Sequence, residues 1–113
     1  MRGACYASRM TYPTLDQRRR RRLDEMKTAV ADLRLDLAAY QEKHRGRFHV
    51  FGSAQRDQLR FDSDIDILLD FPPDEELAAW LFAERACWCR RLTPDLHLKA
   101  WSAPEFLKRI GAA

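Results

Sequence analysis

The run Asp64-Ile65-Asp66-Ile67-Leu68-Leu69 leaves this chain little freedom in how it folds. Its period-two alternation and β-branched residues predict a strand, and Pro72 and Pro73 close it. At strand spacing Ile65, Ile67 and Leu69 enter a core, while Asp64 and Asp66 project together from the other face. Adjacent carboxylates lose solvation and raise each other's pKa. A magnesium ion shared between them, and with phosphate oxygens, resolves the conflict. The competing reading is a loop end at Asp62-Ser63-Asp64 followed by an ordinary outward-facing Asp66.

The rest of the chain supplies elements that can pack on such a strand. Leu23, Met26, Val30, Leu33, Leu37 and Tyr40 recur at steps of three and four, the stripe of a long amphipathic helix that Gly46 ends. Arg47 to Phe51 is a short β-rich run punctuated by Gly52, after which a short helical turn is expected. Asp74-Glu75-Glu76 opens a helix carrying Leu77, Trp80, Leu81 and Trp88 to about Arg91, and Pro94 stops it. Asp95 to Trp101 alternates like a half-buried strand. Ser102 and Glu105 predict a capping box for a final helix through Phe106, Leu107 and Ile110. The order helix, strand, short helix, strand, helix, strand, helix describes an α/β (α+β) domain. It has a small mixed sheet of three or four strands flanked by helices.

At 113 residues, 46% hydrophobic and 33% charged, the chain has material for one domain with a modest core. Residues 1–13 lack periodicity and read as a loose N-terminal arm, leaving 14–113 as a single domain. No apolar run is long enough to span a bilayer or to act as a secretory signal, so a cytoplasmic location is expected. Cys5, Cys87 and Cys89 have neither disulfide nor zinc-ribbon spacing and read as reduced thiols.

Arg18 to Arg22 contribute more positive charge than the whole net +3, so the remainder is net acidic. The block reads first as a solvated helix face, with docking on an acidic partner or RNA as the alternative. If helical, it lies at the positive end of the macrodipole, where fraying is expected. The three tryptophans, Trp80, Trp88 and Trp101, are expected as core or interface aromatics.

Two further features bear on Asp64 and Asp66. Gly52 permits close backbone approach at the end of a strand, and Ser53 opens a turn whose N–H groups can cradle a triphosphate. Two-metal chemistry wants a third acid, and Asp95 opens the next predicted strand on the face opposite Leu96 and Leu98. It lies beside Asp66 if the two strands are neighbours; the alternative is a turn-capping role after Pro94. His97 shares a face with Asp95 and flanks the same place, or is simply a partly exposed strand residue.

Val50-Phe51-Gly52-Ser53 followed by Ser63-Asp64-Ile65-Asp66-Ile67 resembles the nucleotidyltransferase fold of the DNA polymerase beta superfamily. That hallmark is Gly-Ser, a loop, Asp-x-Asp on a strand and a later Asp. The likeness covers roughly residues 22 to 111, and the small size is similar to the minimal nucleotidyltransferases, some of which act as antitoxins beside a HEPN-domain toxin.

The resemblance implies that Gly52, Ser53, Arg56 and Ser63 bind the nucleotide, Ser63 by orienting the loop. It implies that Asp64, Asp66 and Asp95 are the catalytic and metal-binding carboxylates. Asp57 stands where a glycine usually follows the Arg, and the loop is one residue longer than usual. The implied reaction is magnesium-dependent transfer of AMP, or another NMP, from an NTP (ATP first) to a hydroxyl of a partner protein, two ions acting during turnover. A HEPN-domain toxin is the implied acceptor. A degenerate fold that neutralises a partner by contact is the alternative, and a homo-oligomer through the long helix and RNA binding through the arginines are further expectations.

Overall fold

The computed structural model of the chain describes residues 12–112. The arm expected over residues 1–13 therefore lies, apart from Tyr12 and Pro13, outside the described residues, as does Cys5. Helix α1 spans Leu15–Glu42 and α2 spans Glu76–Trp88 after a 3₁₀ turn at Pro73–Glu75. Strands β1 (Arg47–Phe51), β2 (Ile65–Asp70) and β3 (Pro94–Leu98) form the sheet. A second 3₁₀ turn at Lys99–Trp101 leads to α3, Pro104–Arg109. The architecture is the expected mixed α+β one, with three strands.

The strands lie in the order β1-β2-β3, β1 antiparallel and β3 parallel to the central β2. A parallel neighbour needs a crossover, and α2 provides it. One face of the sheet, with Phe48, Val50, Ile65, Ile67 and Leu69 buried, packs under α1 and α2. Helix α1 contributes Met26, Val30, Leu33 and Leu37, the core of the predicted stripe. Arg90, with little exposure, ties the two helices by donating to Asp32 at 2.9 Å and to Asp36.

Helix α1 begins earlier than the apolar stripe predicts. Thr14 accepts from the Gln17 N–H at 3.1 Å while the Gln17 side chain accepts from the Thr14 N–H at 2.8 Å, a reciprocal capping box. The cap carries the helix through Arg18 to Arg22, ahead of Met26, its first buried residue. There Arg22 donates to the Arg91 carbonyl, and Arg19 stacks 4.9 Å above the Phe61 ring.

Two expectations are refined and one is corrected. The stripe Leu77, Leu81 and Trp88 of α2 faces outward, Leu77 being 71% exposed, while Ala79, Ala83, Ala86 and Cys87 face the core. Small residues let the helix axis approach the sheet closely, and the bulky ones are displaced to the rim. Of the three tryptophans expected as core or interface aromatics, Trp80 is half-buried against the core, and Trp88 and Trp101 are exposed. The expected capping box of the last helix is absent: its N-cap is Ala103 and Pro104 takes the first turn, while the Ser102 hydroxyl donates to the Leu98 carbonyl at 2.8 Å.

Candidate functional site

The second face of the sheet carries the polar residues. Cross-strand register places Asp66 opposite Phe51 on one side and opposite Asp95 on the other. Period two then turns His97 to the same face as Asp95. Helix α3 and the residues after it cover part of this face. Phe106 packs against Phe51 at 5.5 Å and His97 at 5.6 Å, and the Ile110 carbonyl lies 3.0 Å from His49 Nε2.

Donor atoms of Asp66, Asp95 and His97 all lie within 4.8 Å of one another. His97 Nε2 is 3.4 Å from Asp95 Oδ1. Asp66 is half-buried, and that burial, with the hydrogen bond and charge of Asp95, pushes its carboxyl up to about 6, against which His97 acts and to which Asp64 adds. A carboxyl so crowded by negative charge suits a cation, and two aspartates with an imidazole are a metal-competent donor set.

Asp64 is not brought into this group. It lies one residue before β2 begins, outside the ladder, with its side chain in water. Like charge on Asp64 and Asp66 favours that separation. The expected set Asp64, Asp66 and Asp95 is therefore assembled only in its Asp66–Asp95 part, and His97, expected merely beside the site, is within it. The signal for His97 was its two-residue spacing from Asp95 on a strand.

Gly52 has φ +71°, and a Cβ there would run into Asp66 Oδ2. Only glycine fits both the left-handed backbone and the contact. In place of the expected helix, hydrogen-bonded turns follow, with Arg56 N–H donating to Gly52 O at 3.2 Å and Gln58 N–H to Ser53 O at 2.8 Å. Among the described residues the N–H groups of Ser53, Ala54 and Gln55 have no backbone acceptor. Such unpaired donors on a turn are available to an anion. Asp57 takes φ +54°, the conformation a glycine adopts without cost.

Arg56 is exposed on this turn. Ser63 closes the loop: its hydroxyl accepts from the Arg60 N–H at 2.8 Å and its own N–H donates to Arg60 O at 3.0 Å. The two cysteines within the described residues are free thiols, Cys87 buried and Cys89 exposed. No helix among the described residues is long and apolar enough to cross a membrane.

No curated protein and no solved structure matches the chain. The nucleotidyltransferase domain family matches residues 30–112, a span that begins within α1 and holds the Gly52-Ser53 turn and the Asp66–Asp95–His97 group. With most of its length covered by that match, the chain belongs to the nucleotidyltransferase domain family.

Proposed function

We propose that this chain is a metal-dependent transferase that moves AMP, or another nucleoside monophosphate, from an NTP to a hydroxyl of a partner protein. The Asp66–Asp95 register pair, set against the Gly52 turn, carries the reading. Asp66 and Asp95 would hold a divalent cation, and Asp64, whose charge already acts on Asp66, would be the further carboxylate for a second cation arriving with the nucleotide. A divalent cation bound there neutralises charge building on the α-phosphate and on the departing pyrophosphate.

The chain's own groups do the rest. The N–H groups of Ser53 to Gln55 face the β and γ phosphates, and Arg56 adds a positive charge. Ser63 keeps the loop closed over the nucleotide. The acceptor oxygen attacks the α-phosphorus, its proton passes to the carboxylate pair, and the bond to the bridging oxygen breaks to release pyrophosphate. In the antitoxin setting, the acceptor is a side-chain hydroxyl of a HEPN-domain toxin made from a neighbouring reading frame.

Incubation with α-labelled ATP, magnesium and the product of the adjacent reading frame tests the proposal. Label is expected on that partner, and its persistence with the Asp64→Ala, Asp66→Ala double variant rejects transfer by this site. The position of Asp64 outside the donor group favours one second reading, a module that neutralises its partner by contact alone. That reading expects complex formation without nucleotide and full neutralisation by Asp64→Ala.

A further inference from the structure

Helix α2 leaves Leu77, Leu81 and Trp88 uncovered, and α1 carries its arginines past the core, but nothing in either surface identifies what would cover it. The arrangement around His97 does carry an inference about chemistry. Its imidazole forms a three-ring cluster with Phe51 at 5.3 Å and Phe106 at 5.6 Å, those two being 5.5 Å apart, and its Nε2 lies 3.4 Å from Asp95 Oδ1. The cluster joins three places in the chain: the end of β1, the body of β3 and α3.

Ligand atoms about 2.1 Å from one ion stand about 3 Å apart when adjacent and about 4.2 Å apart when opposite. The donors of Asp66, Asp95 and His97 span no more than 4.8 Å, so a small contraction seats all three around one ion. The Asp66 carboxylate is held in place from the β1 side, since its Oδ2 fills the space a Cβ on Gly52 would take. Asp64, an oxygen donor, stays outside.

Magnesium takes oxygen ligands almost exclusively and sheds its waters reluctantly. Imidazole suits the later first-row transition ions best, and manganese, the weakest binder of that series, is the most stringent member with which to test for a nitrogen ligand. We propose that His97 is a direct ligand, with Asp66 and Asp95, of the ion held at this site, and that the site therefore selects a first-row transition ion such as manganese over magnesium. The inference rests on the nucleotide-transfer reading for the site's purpose, but concerns only the donor set of this chain.

Pulsed electron paramagnetic resonance on the full wild-type chain with Mn²⁺ alone is the direct test, since it needs no substitution. Nitrogen coupling of a size that marks a bound imidazole is expected; tightly bound Mn²⁺ without it overturns the assignment. Titration of Mn²⁺ and Mg²⁺, followed by manganese resonance and by thermal unfolding, gives the second arm. His97→Gln is expected to weaken Mn²⁺ binding at least about tenfold and Mg²⁺ binding less than about threefold, a contrast a merely structural histidine does not produce. Equal losses for both ions, or a larger manganese loss in Asp64→Asn than in His97→Gln, overturn it. If the wild-type chain binds neither ion, the transfer reading falls with the inference; if Mg²⁺ binds and supports labelling while nitrogen coupling is absent, only the inference falls.

Discussion

Gly52 and Asp66 share a space that admits a hydrogen atom and nothing larger, because the Asp66 carboxylate oxygen occupies the position a Cβ on residue 52 would take. The backbone is also left-handed there, at φ +71°. The Gly52 turn and the Asp66 carboxylate are thereby held in contact by the absence of a side chain.

Gly52→Ala is expected to destabilise the fold by about 2 kcal/mol or more, since the left-handed backbone alone costs about 1–2 kcal/mol and the Asp66 side chain must also move. Chemical denaturation measures it. A variant with wild-type stability and intact ion binding contradicts the contact.

Protonation of Asp66 couples the fold to pH. Its folded value of about 6 lies above the ordinary 3.8, so the folded chain binds this proton more tightly than the unfolded chain does. Ionisation therefore adds no penalty below about pH 3.8, an increasing one up to about pH 6, and the full one above that. Asp66→Asn removes the ionisation and is expected to raise the melting temperature of the metal-free chain at about pH 7.5, the gain shrinking towards zero near pH 4. A gain that does not change with pH would refute the electrostatic cause. Added divalent ion should then stabilise the wild type above pH 6 and leave the Asn variant unmoved.

The orientation of α2 predicts an unusual order of sensitivities. Ala83 is 0% exposed under the helix, whereas Leu81 is 50% exposed. Ala83→Leu is expected to cost about 1–3 kcal/mol by overpacking, and Leu81→Glu to stay within about 0.5 kcal/mol of wild type. Thermal melts of the two variants settle the order, and a reversal would mean that the helix presents its bulky stripe to the sheet after all.

Beyond α2, the Leu92 N–H donates to Cys87 O at 2.9 Å and the Arg91 N–H to Trp88 O at 3.0 Å, the paired bonds of a Schellman ending. Arg91 holds its left-handed position at φ +60°, where glycine is the usual residue. Arg91→Gly is expected to stabilise the chain by about 0.5–1 kcal/mol, read as a rise of a few degrees in melting temperature. A fall would show that the Arg91 side chain makes a contact outweighing its backbone strain.

The difference between legible and illegible parts of this fold is one of range. Met26, Val30, Leu33 and Leu37 announce α1 because a helix repeats its burial every three or four residues, and a sequence carries that period openly. Ala79, Ala83 and Ala86 announce nothing: alanine is only weakly apolar, and the louder Leu77, Leu81 and Trp88 do not mark the buried face. The beginning of α1 was missed for a similar reason, since Thr14 and Gln17 cap a turn that has no apolar stripe.

At the site, alternation along one strand was enough to set Asp66 against the core residues Ile65 and Ile67, and to set Asp95 and His97 on a common face of β3. Those are local consequences of a two-residue period, and any strand made of these residues would show them. Which carboxylate meets which is not local. The pairing of Asp66 with Asp95 depends on where the α2 crossover returns the chain beside β2, and the exclusion of Asp64 depends on the ladder starting at Ile65. The enclosure of His97 depends on α3 folding Phe106 back over the sheet. Burial and charge repulsion between residues distant in the chain chose among arrangements that the strand pattern alone leaves equally good.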